Sequence, residues 1–187
     1  MSKGKLFVIS GASGVGKSTV LKSVMRRRGD LCFSVSATTR QPRPDEVEGE
    51  SYYFVTKERF EEMIAQDAFL EYDAHMDNYY GTPAAQVEEK LSRGSVILDI
   101  DPNGAFMVRA KRPDAVLIFI APPSAQVLES RLRGRGDTSQ EQIRLRLDRA
   151  QWEMDQSKRY DYVVINDQVE ACADQILHII AQAADNN

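Results

Sequence analysis

Apolar residues along this chain fall into two rhythms. Short, largely unbroken apolar runs occupy 6–10, 96–101, 116–120 and 162–165, each bounded by polar or turn-forming residues. Runs of that length suit strands buried on both faces of a parallel sheet. Between them lie segments whose apolar positions recur three and four apart. Residues 19–25 place Val20, Leu21 and Val24 on one side, and 169–184 carries a stripe of Ala173, Ile176, Leu177 and Ile180. Residues 102–112 and 124–133 read as crossover helices. The alternation predicts an α/β fold: a parallel sheet flanked by helices. No internal repeat or low-complexity linker interrupts it, so one domain over 1–187 is expected.

Two stretches break the rhythm. Residues 33–82 hold Pro42, Pro44, the acidic Asp45, Glu46 and Glu48, and a concentration of tyrosine and phenylalanine. Short extended pieces at 33–37, 52–56 and 69–73 are expected around one helix at 58–66. The stretch reads as an inserted ligand-binding lobe; a purely structural β-insertion is the alternative. The second stretch, 131–139, alternates arginine with glycine around Arg133-Gly134-Arg135-Gly136. A helix at about 140–158 follows, bearing Arg144, Arg146 and Arg149. Cations on a hinged segment suit a lid over 134–158 that closes on polyphosphate. The alternative is a solvated helix whose arginines pair with Glu141, Asp148 and Glu153. The remaining core is then 1–32, 83–133 and 159–187.

Charge and composition narrow the partners. A formal net charge of −4 argues against a basic nucleic-acid-binding surface. Hydrophobic and charged fractions of 42% and 28% are those of ordinary globular proteins. No leader pattern and no apolar run near 18 residues is visible, so a cytoplasmic protein with no membrane partner is expected. Whether it is a monomer or a homo-oligomer is left open. Cys32 and Cys172 have no metal or redox spacing and are expected to be reduced, buried thiols. His75 and His178 stand without partners and are expected to be non-catalytic.

The chemistry is concentrated at the N-terminus. Gly11-Ala12-Ser13-Gly14-Val15-Gly16-Lys17-Ser18 fits the phosphate-binding loop pattern, with a strand before it and a helix after it. Its backbone amides can cradle phosphate oxygens, Lys17 can reach the β and γ phosphates, and the Ser18 hydroxyl can ligate Mg²⁺. Three features in the remainder point to an acceptor. Arg40 and Arg43, stiffened by Pro42, can grip one phosphate. Glu71, with Ser36 and Thr82 as hydroxyls in the same lobe, can accept from N1–H and the 2-amino group of guanine, which adenine cannot satisfy. Asp99 and Asp101, alternate residues of an expected strand, point the same way at its C-terminal end. They can organise Mg²⁺ through water or hold polar groups of the acceptor; as single residues each also suits a cap or turn.

Taken in order, these motifs resemble the guanylate kinases from about Lys5 to Ile180. The resemblance runs through the phosphate loop, 36–43 with Thr38-Thr39-Arg40, Glu48-Gly49 leading to Tyr52, and Phe69-Leu70-Glu71. It continues through Asn78-Tyr79-Tyr80-Gly81-Thr82, Ile97-Leu98-Asp99-Ile100-Asp101, the 135–146 lid, and Tyr160-Asp161-Tyr162 to Asn166-Asp167. It implies a phosphate-loop NTPase-type fold and the reaction ATP + GMP ⇌ ADP + GDP with Mg²⁺. It further implies that Ser36, Glu71 and Thr82, assisted by Asp101, recognise guanine. Arg40, Arg43, Tyr52 and Tyr80 would hold the GMP phosphate. Arg135 and Arg146 would arrive from the lid, and Asn166 would lie near adenine or serve as a turn former. Two positions depart from the family pattern: Ala12 where proline is frequent, and Pro102-Asn103 where an aromatic and glutamine are frequent. Other readings are a phosphate-loop kinase for a non-nucleotide phosphorylated sugar and a non-catalytic guanylate-kinase-like interaction module.

Overall fold

The first apolar run is a strand because Leu6, Phe7, Val8 and Ile9 are all fully buried, leaving no polar face to present. In the computed structural model, which describes residues 4–75, 77–133 and 140–185, this is β1 (Leu6–Gly11), followed by α1 (Lys17–Arg27). Next come β2 (Cys32–Phe33), β3 (Ala37–Thr38), β4 (Tyr53–Phe54), α2 (Lys57–Ala65), β5 (Phe69–His75), β6 (Asn78–Pro83) and α3 (Ala84–Leu91). The chain continues through β7 (Val96–Asp99), α4 (Pro102–Lys111), β8 (Val116–Ala121), α5 (Ala125–Arg133) and α6 (Gln140–Gln156). A 3-10 turn (Ser157–Arg159), β9 (Tyr162–Ile165) and α7 (Val169–Asp185) complete it.

Five strands form a parallel sheet in the order β2-β7-β1-β8-β9. The central strand β1 is hydrogen-bonded on both sides, so the loop that follows it emerges at the middle of the sheet's C-terminal edge, where open α/β sheets bind ligands. Helices α1, α3, α4, α5 and α7 contribute Val20, Leu91, Val108, Leu128 and Ile176 to the one large core. The edge strand β9 buries only Val164 of its four residues. The sheet's other edge is β2, so Phe33, expected in the insertion, pairs with Ile97 of β7 in the main sheet.

The second sheet has the order β4-β3-β6-β5. Here β6 runs antiparallel to both neighbours, while β3 and β4 are parallel. This sheet has its own small core of Ala37, Phe60 and Phe69. The Phe60 ring stacks on Phe69 at 4.3 Å and on Tyr79 at 5.1 Å. Such pairs are worth about 0.5–1.5 kcal/mol each beyond burial. They account for part of the aromatic density that marked this stretch in the sequence. Helix α2 starts where Thr56 accepts from Arg59 N–H at 3.1 Å.

Strand β7 stops at Asp99, two residues short of the expected run. Asp101 is therefore not its strand-mate: it is the N-cap of α4, its Oδ1 accepting from Gly104 N–H at 2.9 Å. Pro102 follows at the first helical position, where the missing N–H costs nothing. The cap alternative open to Asp101 on sequence grounds is the one the backbone adopts.

Candidate active site

Two clefts open side by side at the sheet's C-terminal edge. The larger, about 830 Å³, is lined by residues 11–19 and by Asp101, Gln142, Leu145, Arg146, Arg149 and Glu153. Its loop turns into α1 through Gly14 and Gly16, at φ of 84° and 91°, a region costly for any residue with a Cβ. A Cβ on Gly16 would also come within 3.0 Å of Asn166 Nδ2. The loop is braced from several elements. Ala12 N–H donates to Ile120 O at 3.3 Å, a bond proline could not make. Asn166 Nδ2 donates to Val15 O at 2.8 Å, and Arg131 Nη1 donates to Val15 O and to Asn166 O at 3.2 and 3.1 Å. Glu153 Oε2 accepts from Ser13 N–H at 2.6 Å. Lys17 Nζ forms a close ion pair with Asp99 Oδ1 at the end of β7. Ser18 stands beside Lys17 in the first turn of α1, its residue on the cleft wall.

The smaller cleft, about 320 Å³, is walled by Ser36, Tyr52, Glu71, Asp73, Tyr80 and Gly81 from the lobe. Asp99, Ile100 and Asp101 face them from the main sheet, and Arg149 faces them from α6. Glu71 is only 7% exposed. Thr82, beside it across the β5–β6 ladder, donates its hydroxyl to Glu71 Oε1 at 2.5 Å. Burial pushes the Glu71 carboxyl up to about 7; the Thr82 hydrogen bond opposes this, and the charges of Asp101 and Asp73 add to it. Oε2 faces α4, where a Cβ on Gly104 would lie 3.0 Å from it. Glycine there makes the room this carboxylate occupies.

At the mouth of this cleft, Arg40 Nη1 and Nη2 donate to the two Glu46 oxygens at 3.0 and 2.7 Å. That pairing holds the guanidinium above its ordinary range. Its carbon lies 5.5 Å from the centre of the Tyr52 ring, and Tyr52 meets Tyr80 edge-on at 6.1 Å. Arg43 is exposed; its backbone N–H donates to the same Glu46 at 2.8 Å.

The structure thus brings Ser36, Tyr52, Glu71, Tyr80, Asp99 and Asp101 to one cleft, with Thr82 behind Glu71. It brings the whole phosphate loop and Arg146 to the other. Arg40 reaches the acceptor side through Tyr52, and Arg43 meets Glu46 through its backbone N–H; neither lines the cleft itself. Asn166 is buried beneath the loop and is absent from the residues lining the donor cleft. Arg135 lies outside the described residues.

A sequence model of the guanylate kinase family matches residues 3–183. The guanylate kinase of Neisseria gonorrhoeae is 49% identical over 95% of this chain and 87% of its own. A guanylate kinase of Thermus thermophilus is 48% identical over 95% of this chain and 81% of its own. A crystal structure of guanylate kinase from Anaplasma phagocytophilum superposes with a TM-score of 0.75, at 33% identity, covering 97% of this chain and 87% of that one. The chain belongs to the guanylate kinase family.

For a guanylate kinase family member, several residues at the clefts were not legible in the sequence. Glu153 was expected, at most, as a solvated partner for an arginine. It is 4% exposed and holds the phosphate loop, because α6 packs that face against the loop. Arg131 braces the loop instead of facing solvent. Gly104 carried no signal, since its role is the absence of a side chain opposite Glu71. Among the described residues, no group of three or more His, Cys, Asp or Glu could hold a metal ion by itself, and no helix is long and apolar enough to cross a membrane. Cys32 and Cys172 are free thiols; Cys172 is buried and Cys32 half-buried, and burial pushes the Cys172 thiol up to about 11.

Proposed function

We propose that this chain transfers the γ-phosphoryl group of ATP to GMP, giving ADP and GDP, with the larger cleft taking ATP and the smaller taking GMP. The observation that carries the assignment is Glu71. It is a buried carboxylate with one oxygen set by Thr82, held in a cleft directly beside a phosphate loop. Guanine offers two adjacent donors to such a group, and adenine would leave it unpaired. Ser36, Asp99 and Asp101 stand around the same base, while Tyr52, Tyr80, Arg40 and Arg43 receive the GMP phosphate at the mouth. Arg40 must then exchange Glu46 for phosphate, one charge-assisted fork for another.

Gly11 to Ser18 hold the polyphosphate of ATP through backbone amides, and Asn166 keeps Val15 in place beneath them. Lys17 exchanges Asp99 for the β and γ phosphates. The acceptor oxygen is already anionic, so no general base is required; the obstacle is repulsion between two polyanions. Lys17, Arg40, Arg146 and, from the lid, Arg135 oppose it electrostatically. Mg²⁺ brought in with ATP supplies further charge neutralisation. The Ser18 hydroxyl and, through water, Asp99 or Asp101 are hard oxygen donors suited to it. Closure of the lobe at 33–82 and the lid at 134–158 over the core excludes water and limits ATP hydrolysis. The place of action is the cytoplasm, where both nucleotides are available.

The experiment is ADP formation from ATP and Mg²⁺ with GMP, AMP, CMP or UMP offered separately. Strong activity restricted to GMP is expected. Equal use of all four, or activity with none in a folded protein that binds ATP, would refute the acceptor assignment.

A further inference from the structure

The acceptor cleft has a charge problem that Arg40, Arg43 and Lys17 do not solve. Its described lining includes four carboxylates, Glu71, Asp73, Asp99 and Asp101, and a single cation, Arg149. Lys17 pairs with Asp99 but reaches it from the phosphate-loop side. A nucleoside monophosphate entering this cleft brings about two more negative charges. Arg40 and Arg43 meet its phosphate at the mouth, not the charge within.

Arg149 is held at a defined place. Its Nε donates to Glu153 Oε1 at 3.1 Å, and the other oxygen of Glu153 accepts from Ser13 N–H in the phosphate loop. With Nε engaged, Nη2 reaches Asp101 Oδ2 at 3.4 Å. The oxygen it meets is not the one that caps α4, so Asp101 is shared between cap and guanidinium. Arg149 also lines the donor cleft, which places it on the wall between the two nucleotides.

We infer that Arg149 is a positioning residue for the acceptor: anchored through Glu153 to the phosphate loop, it neutralises Asp101 and so admits an anionic nucleotide to an acidic cleft. This rests on the assignment of the smaller cleft to GMP. A partly exposed pair of this kind acts chiefly on ligand affinity and its salt dependence. The hydrogen bonds of Arg149 run to Asp101 and Glu153, not to a loop amide, so the effect falls more on KM than on kcat.

The test is steady-state kinetics on Arg149→Gln, Arg149→Lys, Asp101→Asn and the Arg149→Gln/Asp101→Asn double variant, with Glu71→Gln as the control for the cleft. Asn still caps a helix, so α4 is preserved in the Asp101 variants. Arg149→Gln is expected to raise KM for GMP about fivefold at low ionic strength and less at high salt, with kcat within about twofold. Lys should restore most of the affinity. In the Asp101→Asn background the effect of Arg149→Gln should fall below about twofold, since the charge it offsets is gone. A KM increase that Lys does not rescue, or that is equal in both backgrounds, would mean packing and overturn the inference. A raised KM in Glu71→Gln with none in Arg149→Gln would remove this inference alone. Unchanged KM in both would remove the cleft assignment and the inference with it.

Discussion

The two clefts are built in opposite ways. The donor cleft is made largely from one contiguous segment, Gly11 to Ser18, whose working groups are backbone amides and one lysine. The acceptor cleft draws on β5, β6, the residues just before β3 and β4, the end of β7, the N-cap of α4 and a side chain of α6, and its working groups are side chains. A local motif carries its chemistry in one segment, even though Asn166, Arg131 and Glu153 brace that segment from elsewhere. An assembled site depends on every element that contributes a wall. The donor side should therefore fail by loss of a single chemical group, and the acceptor side by small displacements as well.

The largest effect should come from the donor side. Lys17→Ala is expected to lower kcat by about 10³-fold or more, because a preorganised charge at the transferring group is lost. Thermal denaturation should shift little, since Lys17 and Asp99 are each about a quarter exposed and their pair contributes little to stability. Turnover near the parent level would break the donor assignment.

Next is the reading carboxylate. Glu71→Gln should reduce discrimination of GMP over AMP by about 10²-fold or more, measured as the ratio of kcat/KM values. Its pH dependence sharpens the point. The ionised form accepts both guanine donors, and the ligand-free carboxyl titrates at about 7. KM for GMP should therefore fall as pH rises through about 7, and the Gln variant should lose that dependence. Stability of the ligand-free protein should run the other way. A carboxyl raised on folding favours the folded state most below its unfolded value, and that contribution is lost as pH rises through about 7. Melting temperatures of parent and Glu71→Gln against pH would show it; parallel curves would contradict the buried state of Glu71.

A displacement test comes third. Gly104→Ala puts a methyl 3.0 Å from Glu71 Oε2 and 3.3 Å from Ile100 Cδ1. KM for GMP should rise about tenfold while KM for ATP stays unchanged, because overpacking moves the carboxylate without touching the loop. Equal changes in both constants would show that the clefts are not separable.

The smallest effect is expected at Glu153→Gln. The amide oxygen can still accept from Ser13 N–H, but the charge holding Arg149 is lost. KM for GMP should rise about threefold or less through the loosened Arg149, and KM for ATP less still, since the loop contact is kept. A much larger rise in KM for ATP would make Glu153 a principal element of the donor cleft.

Much of this was written in the chain itself. Strands β1, β7 and β8 were legible because burial demands unbroken apolar runs, as in Leu6 to Ile9, whereas the short edge strand β2 was read as part of the lobe. The phosphate loop was legible because its chemistry is contiguous. Glu71, Thr82, Ser36 and the tyrosines were readable by residue type and resemblance, though not by position relative to one another. Strand β6 and helix α3 escaped periodicity: Asn78 to Pro83 mixes polar and aromatic residues, and α3 buries only Val87 and Leu91.

What only the tertiary structure decided is which groups face which. Asp101 left its strand to cap α4 because β7 ends at Asp99. Asn166 and Arg131 lie under the loop, both donating to the Val15 carbonyl. Glu153, an ordinary polar residue in a charged helix, became buried because Ser13 N–H lies opposite it. Local sequence determines the strands, the loop and the chemical inventory, since those depend on neighbours along the chain. The pairing of Arg149 with Asp101 and the space at Gly104 arise between residues 48 and 33 positions apart. No local pattern encodes such distances; packing of the sheet, lobe and lid helix sets them.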